Sequence, residues 1–262
     1  MKMEALPVRK NFFLLLALIF ILLATLNSSA NAWEKEAHRM ILRNTLDILP
    51  EQLKQVLTPH LPMLLSGMVE PDLNRVDDHK LYLYAIRGKE PGPGGAHFAL
   101  DRFARKAEAM IKAGEPINEI AFMLGQAAHF IQDVNVPLHT IWGETREQHV
   151  AYEGIAYFGK WPGDKYGYDG FYLVKKYKGF AFEAAKRSHR YFDSALRNPP
   201  PSEVIEKTWN DSVNDTANLW QSIFYRALGP QKSLELYGIP LPKGEKEKGW
   251  LGYLQNYKSA SS

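Results

Sequence analysis

Residues 116–139 read PINEIAFMLGQAAHFIQDVNVPLH, and the fold class is legible from this stretch. Pro116 suits the first turn of a helix, where its missing N–H leaves no bond unmade. Ile117, Ile120, Ala121, Leu124, Ala128 and Ile131 then recur at helical spacing and form one broad apolar face. His129 and Asp133, four residues apart, share a side of that helix. Asn135-Val136-Pro137 ends it, and His139 follows two residues after the proline.

Working outward, the same periodicity predicts helices over Glu34–Leu49, Pro50–Val56, Leu81–Ile86, Phe98–Ala113, Glu144–Tyr157, Tyr172–Leu196 and Pro201–Leu228. Gly114 is a helix-stop signal. Strict alternation is scarce, so the expected fold is all-α: a compact multi-helix single domain with its polar site in a cleft between helices. The Gly/Pro-rich stretches Lys89–Gly95 and Trp161–Gly170 read as loops within that domain. The tail from about Ile239 is polar and basic and reads as loosely packed.

The N-terminus is read separately. Lys2, Arg9 and Lys10 precede an apolar run from Phe12 to Leu26, and Ala30 and Ala32 supply an A-x-A cleavage pattern. That run is short of the ~20 residues that span a bilayer as a helix. A signal peptide over residues 1–32 is expected, with a secreted or periplasmic domain over 33–262. Of 32 basic and 29 acidic residues, the leader holds Lys2, Arg9, Lys10 and Glu4, so the remainder carries a net charge of +1. That balance offers no global electrostatic case for nucleic acid. There is no cysteine, so any metal must be held by nitrogen and oxygen.

Beyond His129, Asp133 and His139, a second four-residue pair follows in His149 and Glu153. A lone histidine is usually a surface or hydrogen-bonded core residue, about nine times in ten, since binding sites are few per protein. Two His/carboxylate pairs could equally be helix-stabilising ion pairs of ~0.2–0.5 kcal/mol each. The setting favours a metal, because His129 and Asp133 are embedded among Phe122, Met123, Leu124, Ala127, Phe130 and Ile131. Unpaired polar groups there would be costly.

The run from His129 to His139, with His149-Val150-Ala151-Tyr152-Glu153 after it, resembles the signature of the bacterial zinc-dependent phospholipase C family, whose superfamily includes the S1/P1-type nucleases. The resemblance implies three zinc ions. It places Asp72, His97, His129 and Asp133 on one, and His139, His149 and Glu153 on a second. Trp33, through its α-amino nitrogen and carbonyl oxygen, would join His38 and Asp133 on the third. Leader cleavage would then create the first ligand. The resemblance also implies a general-base role for Asp72 beside ligation, and Glu36 matches an acidic headgroup contact of choline-preferring enzymes. Asp77, Asp78 and His79 read as a solvated polar turn, and His60 and His189 as structural or surface residues.

The short gap from His139 to His149, and Glu153 in place of Asp, point to the phospholipase side over the nucleases. Leu73 and Gly94 stand where choline-preferring enzymes carry aromatics. Trp142, Tyr152, Tyr157, Phe158 and Trp161 could line a pocket or stack a base, although at helical spacing core packing is the expected use for most of them. The expected activity is hydrolysis of a phospholipid headgroup phosphodiester, with transient membrane-surface contact, no dedicated protein partner and a monomeric state. The alternatives are an S1/P1-like single-strand nuclease and a non-catalytic zinc- or membrane-binding module.

Overall fold

The structure of the protein, a computed structural model, describes residues 35–74, 79–83, 94–141, 147–149, 151–152, 154 and 167–246. All of them belong to the compact unit Asn31–Ser262. The leader, Trp33, Asp77, Asp78, Trp142, Glu153, Tyr157, Phe158 and Trp161 lie outside the described residues. Within them the chain is all-α, with an isolated parallel bridge between Leu173 and Glu245.

In chain order the helices are α1 (Lys35–Ile48), α2 (Glu51–Leu57), α3 (Leu61–Asn74), α4 (Ala96–Ala113), α5 (Ile117–Asp133), α6 (Tyr177–His189), α7 (Phe192–Ala195), α8 (Ser202–Leu228) and α9 (Pro230–Tyr237). Short 3-10 turns cover Thr58–His60 and Pro137–His139. Gly114 ends α4 in the left-handed conformation at φ 71°, and its N–H and that of Glu115 reach back to Ile111 and Met110. α3 was not anticipated. Its helical signal is broken by Pro62, Gly67 and Pro71, although proline is tolerated in a first turn and costs one hydrogen bond later.

The centre of the molecule is the crossing of α3 and α5. A Cβ on Gly67 would stand 2.0 Å from the carbonyl oxygen of Phe122, and one on Gly125 would stand 2.2 Å from that of Leu64. The two backbones therefore touch, which only glycine permits. Gln126 adds a hydrogen bond from its amide nitrogen to Glu70 at 2.6 Å. Leu64, Met68, Leu124, Ala128, Phe130 and Ile131 surround the crossing in the main apolar core. A smaller core joins Ala37 and Ile41 of α1 to Leu138, Tyr152 and, on α8, Trp209 and Val213.

Two segments depart from their helical expectation, for non-local reasons. Residues 79–83 are extended: Leu81 N–H bonds to His139 O at 3.0 Å, and Leu83 N–H to Thr140 O at 2.8 Å. The helix expected from Tyr172 begins only at Tyr177, because 167–174 is drawn out along α8. Asn210, Asn214, Asn218 and Ser222, one turn apart, accept from the N–H groups of Gly167, Asp169, Tyr172 and Val174 at 2.6–3.2 Å. The tail also differs from expectation. Ile239 is fully buried, and Phe171 O and Leu173 N–H bond with Lys243 and Gly244, so the chain is held at least through residue 246.

Because the α3–α5 contact is backbone on backbone, no side chain can swing aside to admit a methyl group. Gly125→Ala is expected to cost at least about 2 kcal/mol, the upper part of the overpacking range. A denaturant midpoint equal to that of the wild type would show that the crossing is looser than described.

Candidate metal centre

One turn beyond the glycine contact, α3 presents Asp72 and α5 presents His129. His79 enters from the extended segment, which pairing with residues 139–140 holds against the end of α5. The donors fall into two groups that share His129, one with Asp72 and His79 and the other with His38 and Asp133. His129 Nε2 lies 2.7 Å from His79 Nδ1, 3.2 Å from Asp133 Oδ2 and 3.8 Å from Asp72 Oδ1. His79 Nδ1 lies 2.9 Å from Asp133 Oδ2 and 4.0 Å from Asp72 Oδ1. Donors on a four-coordinate zinc at 2.0–2.1 Å would be roughly 3.3 Å apart.

The other oxygen of Asp133, Oδ1, faces His38 Nε2 of α1 at 3.3 Å. His38 Nδ1 lies 2.7 Å from Gln132 Oε1, an atom that can only accept, so Nδ1 carries the proton. Nε2 can then face a carboxylate only as an imidazolium N–H, or as a lone pair turned toward a cation between them. A third pairing sets His139 Nε2 3.2 Å from His149 Nε2, with the rings stacked at 4.9 Å between centroids.

The electrostatics favour a cation. Burial opposes ionisation of Asp133, yet His129, His38 and His79 outweigh it and hold the carboxyl well below the usual carboxylate range. Burial lowers His38 and His79, but Asp133 and Asp72 more than compensate, and both imidazoles end above their ordinary 6.5. Burial holds His129 below that value, and burial with neighbouring His149 holds His139 well below it. Both oxygens of Asp72 and Oδ1 of Asp133 are buried without a hydrogen-bond partner among the described residues. Buried acceptors of that kind are costly unless something satisfies them. The donor set of nitrogen and oxygen fits zinc.

The expected ligands fare differently. His38, Asp72, His129 and Asp133 converge, as do His139 and His149, whereas Trp33 and Glu153 lie outside the described residues. His97 does not enter either His/Asp group, and His79 takes the place anticipated for it. His97 is buried at the start of α4 against Phe98 and Phe182, where burial and the charge of Lys178 push its imidazole down to about 4. His79, read from sequence as part of a solvated turn, is instead a member of the cluster. Glu36 is half-exposed and ion-paired with Arg39. His189 bonds to Thr140 Oγ1 at 2.8 Å, beside His139. Gln132 was missed, although its place beside Asp133 on a buried helix was a signal.

A network beneath the site fixes the turn that leaves α5. Arg187 donates to Asp211 at 3.1 Å, to Asn135 at 3.2 Å and to Asp215. Asn135 donates in turn to Ile131 O and Asp215, each at 3.0 Å. Ser188 Oγ holds Val134 O at 2.8 Å. The direction in which the chain runs to His139 is thereby set.

The model of the family "Zinc dependent phospholipase C" matches residues 37–235. The chain belongs to that family. The zinc dependence of that family and the His/Asp groups together support zinc as the metal. The fold is similar to that of alpha toxin from Clostridium absonum, with a TM-score of 0.51 and 19% identity over 73% of this chain and 63% of that one. It is also similar to Clostridium perfringens alpha-toxin isolated from avian strain SWCP, with a TM-score of 0.52 and 16% identity over 77% and 64%. This zinc-dependent phospholipase C family member thus spans less than two thirds of either toxin's length. No curated protein sequence matches it. Among its described residues no helix is long and apolar enough to cross a membrane.

His79→Asn is expected to remove one zinc per chain, whereas His97→Asn keeps the wild-type content; metal analysis after gel filtration reads both. The reverse result would restore His97 to the centre. A histidine raised by folding stabilises the fold while protonated, and that contribution fades as pH rises above 6.5. His129 and His139, held low, stay neutral over that window. Above pH 6.5 the apoprotein should therefore lose thermal stability, and the rise in Tm produced by zinc should grow. A zinc-induced shift independent of pH would contradict the assignment of His38 and His79.

Proposed function

We propose that this protein is an exported phospholipase C that hydrolyses the headgroup phosphodiester of a phospholipid to diacylglycerol and a phosphorylated alcohol. The observation that carries the reading is Asp133, whose two oxygens face separate imidazole sets, His79 with His129 on one side and His38 on the other. A carboxylate so placed would be able to serve two cations from one buried group. Asp72, His79, His129 and Asp133 would hold one zinc, and His139, His149 and Glu153 a second. Trp33, His38 and Asp133 would hold the third. Trp33 stands five residues before His38 in the sequence, which supports that last set.

Zinc, when bound, lowers the pKa of water and offsets charge on the phosphoryl oxygens during in-line displacement. The chain's own groups do the rest. Oδ1 of Asp72 is turned to His79 and His129, which leaves Oδ2 to accept the proton of the attacking water. Gln132 orients His38 and fixes its tautomer, an outer contact of the kind that tunes ligand basicity. A leader ending before Trp33 would free the α-amino group, which a peptide nitrogen cannot replace, so activity would arise only after export.

The test is turnover of phosphatidylcholine, phosphatidylethanolamine, phosphatidylglycerol and single-stranded nucleic acid by the protein beginning at Trp33, with and without chelator. Chelator-sensitive release of diacylglycerol is expected, and Asp133→Asn should abolish it together with bound metal. Cleavage of nucleic acid alone would overturn the phospholipase reading in favour of a nuclease. Zinc binding with no hydrolysis would reduce the protein to a binding module.

A further inference from the structure

The groove between α1 and α3 is lined by Glu36, Arg39, Arg43, Pro62, Leu65, Ser66 and Val69 and has a volume of about 560 Å³. One wall is charged and the other largely apolar. Glu36, Arg39 and Arg43 recur at three- and four-residue spacing along α1, on the helix that carries His38. Pro62, Ser66, Val69 and Leu73 form the matching stripe along α3, and Leu73, 63% exposed, adjoins Asp72. The helices that wall the groove are those that carry His38 and Asp72, the latter three residues after the lining Val69.

We infer that this groove docks an anionic phospholipid of a bilayer surface, its acidic headgroup on the arginine wall and its glycerol and upper acyl segment against the apolar one. Charge selects the occupant. Arg39 is ion-paired with Glu36, so the acidic side chain is already matched. Arg43 is exposed on the same wall and has no ion-pair partner among the described residues. The groove thus carries a net charge of +1 from its three charged lining residues. A quaternary ammonium headgroup would seek an aromatic face, and none lines the groove. The choice of a lipid as occupant rests on the phospholipase reading, while the preference for an anion does not. Docking there would place the membrane surface next to the Asp72 turn whether or not the docked lipid is the one cleaved.

Flotation of the zinc-loaded protein with phosphatidylcholine vesicles, in the cold and with or without phosphatidylglycerol, tests this. Binding should strengthen when phosphatidylglycerol is present. Each unit of groove charge should be worth about five-fold in affinity, so Ser66→Glu loses about five-fold and Arg43→Glu about twenty-five-fold. Arg43→Lys should bind as the wild type does. All three variants should cleave a soluble short-chain phospholipid at the wild-type rate, since none of them touches the metal centre. Equal binding to both vesicles, or unchanged binding by Arg43→Glu and Ser66→Glu, would overturn the proposal. Wild type that binds phosphatidylglycerol vesicles in this way but cleaves no phospholipid would sink the phospholipase reading and leave the groove's role standing.

Discussion

Two helices can bring their axes together only as far as the side chains between them allow, and α3 and α5 meet with nothing between them. Gly67 lies on the Phe122 carbonyl and Gly125 on the Leu64 carbonyl, at distances no Cβ could share. Asp72 lies five residues after the first glycine and His129 four after the second, so each projects about one turn beyond the contact. A wider crossing would carry these donors apart and leave a gap too large for one cation to span. The separation of Asp72 Oδ1 and His129 Nε2, 3.8 Å, is thus a consequence of backbone packing rather than of local sequence.

Holding polar groups at that spacing in an apolar interior is unfavourable without a counter-charge. His38, His129, Asp133 and the Asp72 carboxyl are all buried, and several of their atoms have no hydrogen bond among the described residues. Removing one partner from a buried charged set typically costs about 3–5 kcal/mol, because the remaining charge is stranded. A divalent cation removes the conflict by satisfying acceptors and ring nitrogens together. Metal affinity and fold stability are therefore coupled in this protein.

The surroundings serve that arrangement. The polar ladder of α8 secures residues 167–174, and Tyr152 packs in the smaller core with its hydroxyl 2.7 Å from Thr208 Oγ1 of the same helix. Arg187, Asp211, Asp215 and Asn135 fix the turn after α5 at the point where the chain must head for His139. α8 thus acts as a buried polar spine as well as an apolar one, which is unusual for a helix whose central residues are almost all inaccessible.

Much of the fold was legible in the sequence because helical periodicity and caps are local signals. α1, α2, α4, α5 and α8 follow the spacing of their apolar residues, and Gly114 stops α4 where its freedom at positive φ predicts. The spacing of His129 and Asp133 was legible for the same reason, since the two are one helix turn apart, whereas His139 was joined to His149 only through the family resemblance. α3 was hidden because two prolines and a glycine erase the local signal that tertiary contact restores. His79 could not be told from His97 by spacing from Asp72. Which one reaches the cluster depends on Leu81 and Leu83 pairing with residues 139 and 140, a contact between segments nearly sixty residues apart. The amino-acid pattern by itself determined the helices and the kinds of atoms available to hold a metal. Only the tertiary structure decided which of those atoms meet, because backbone hydrogen bonds and the glycine crossing act between segments that no local pattern connects.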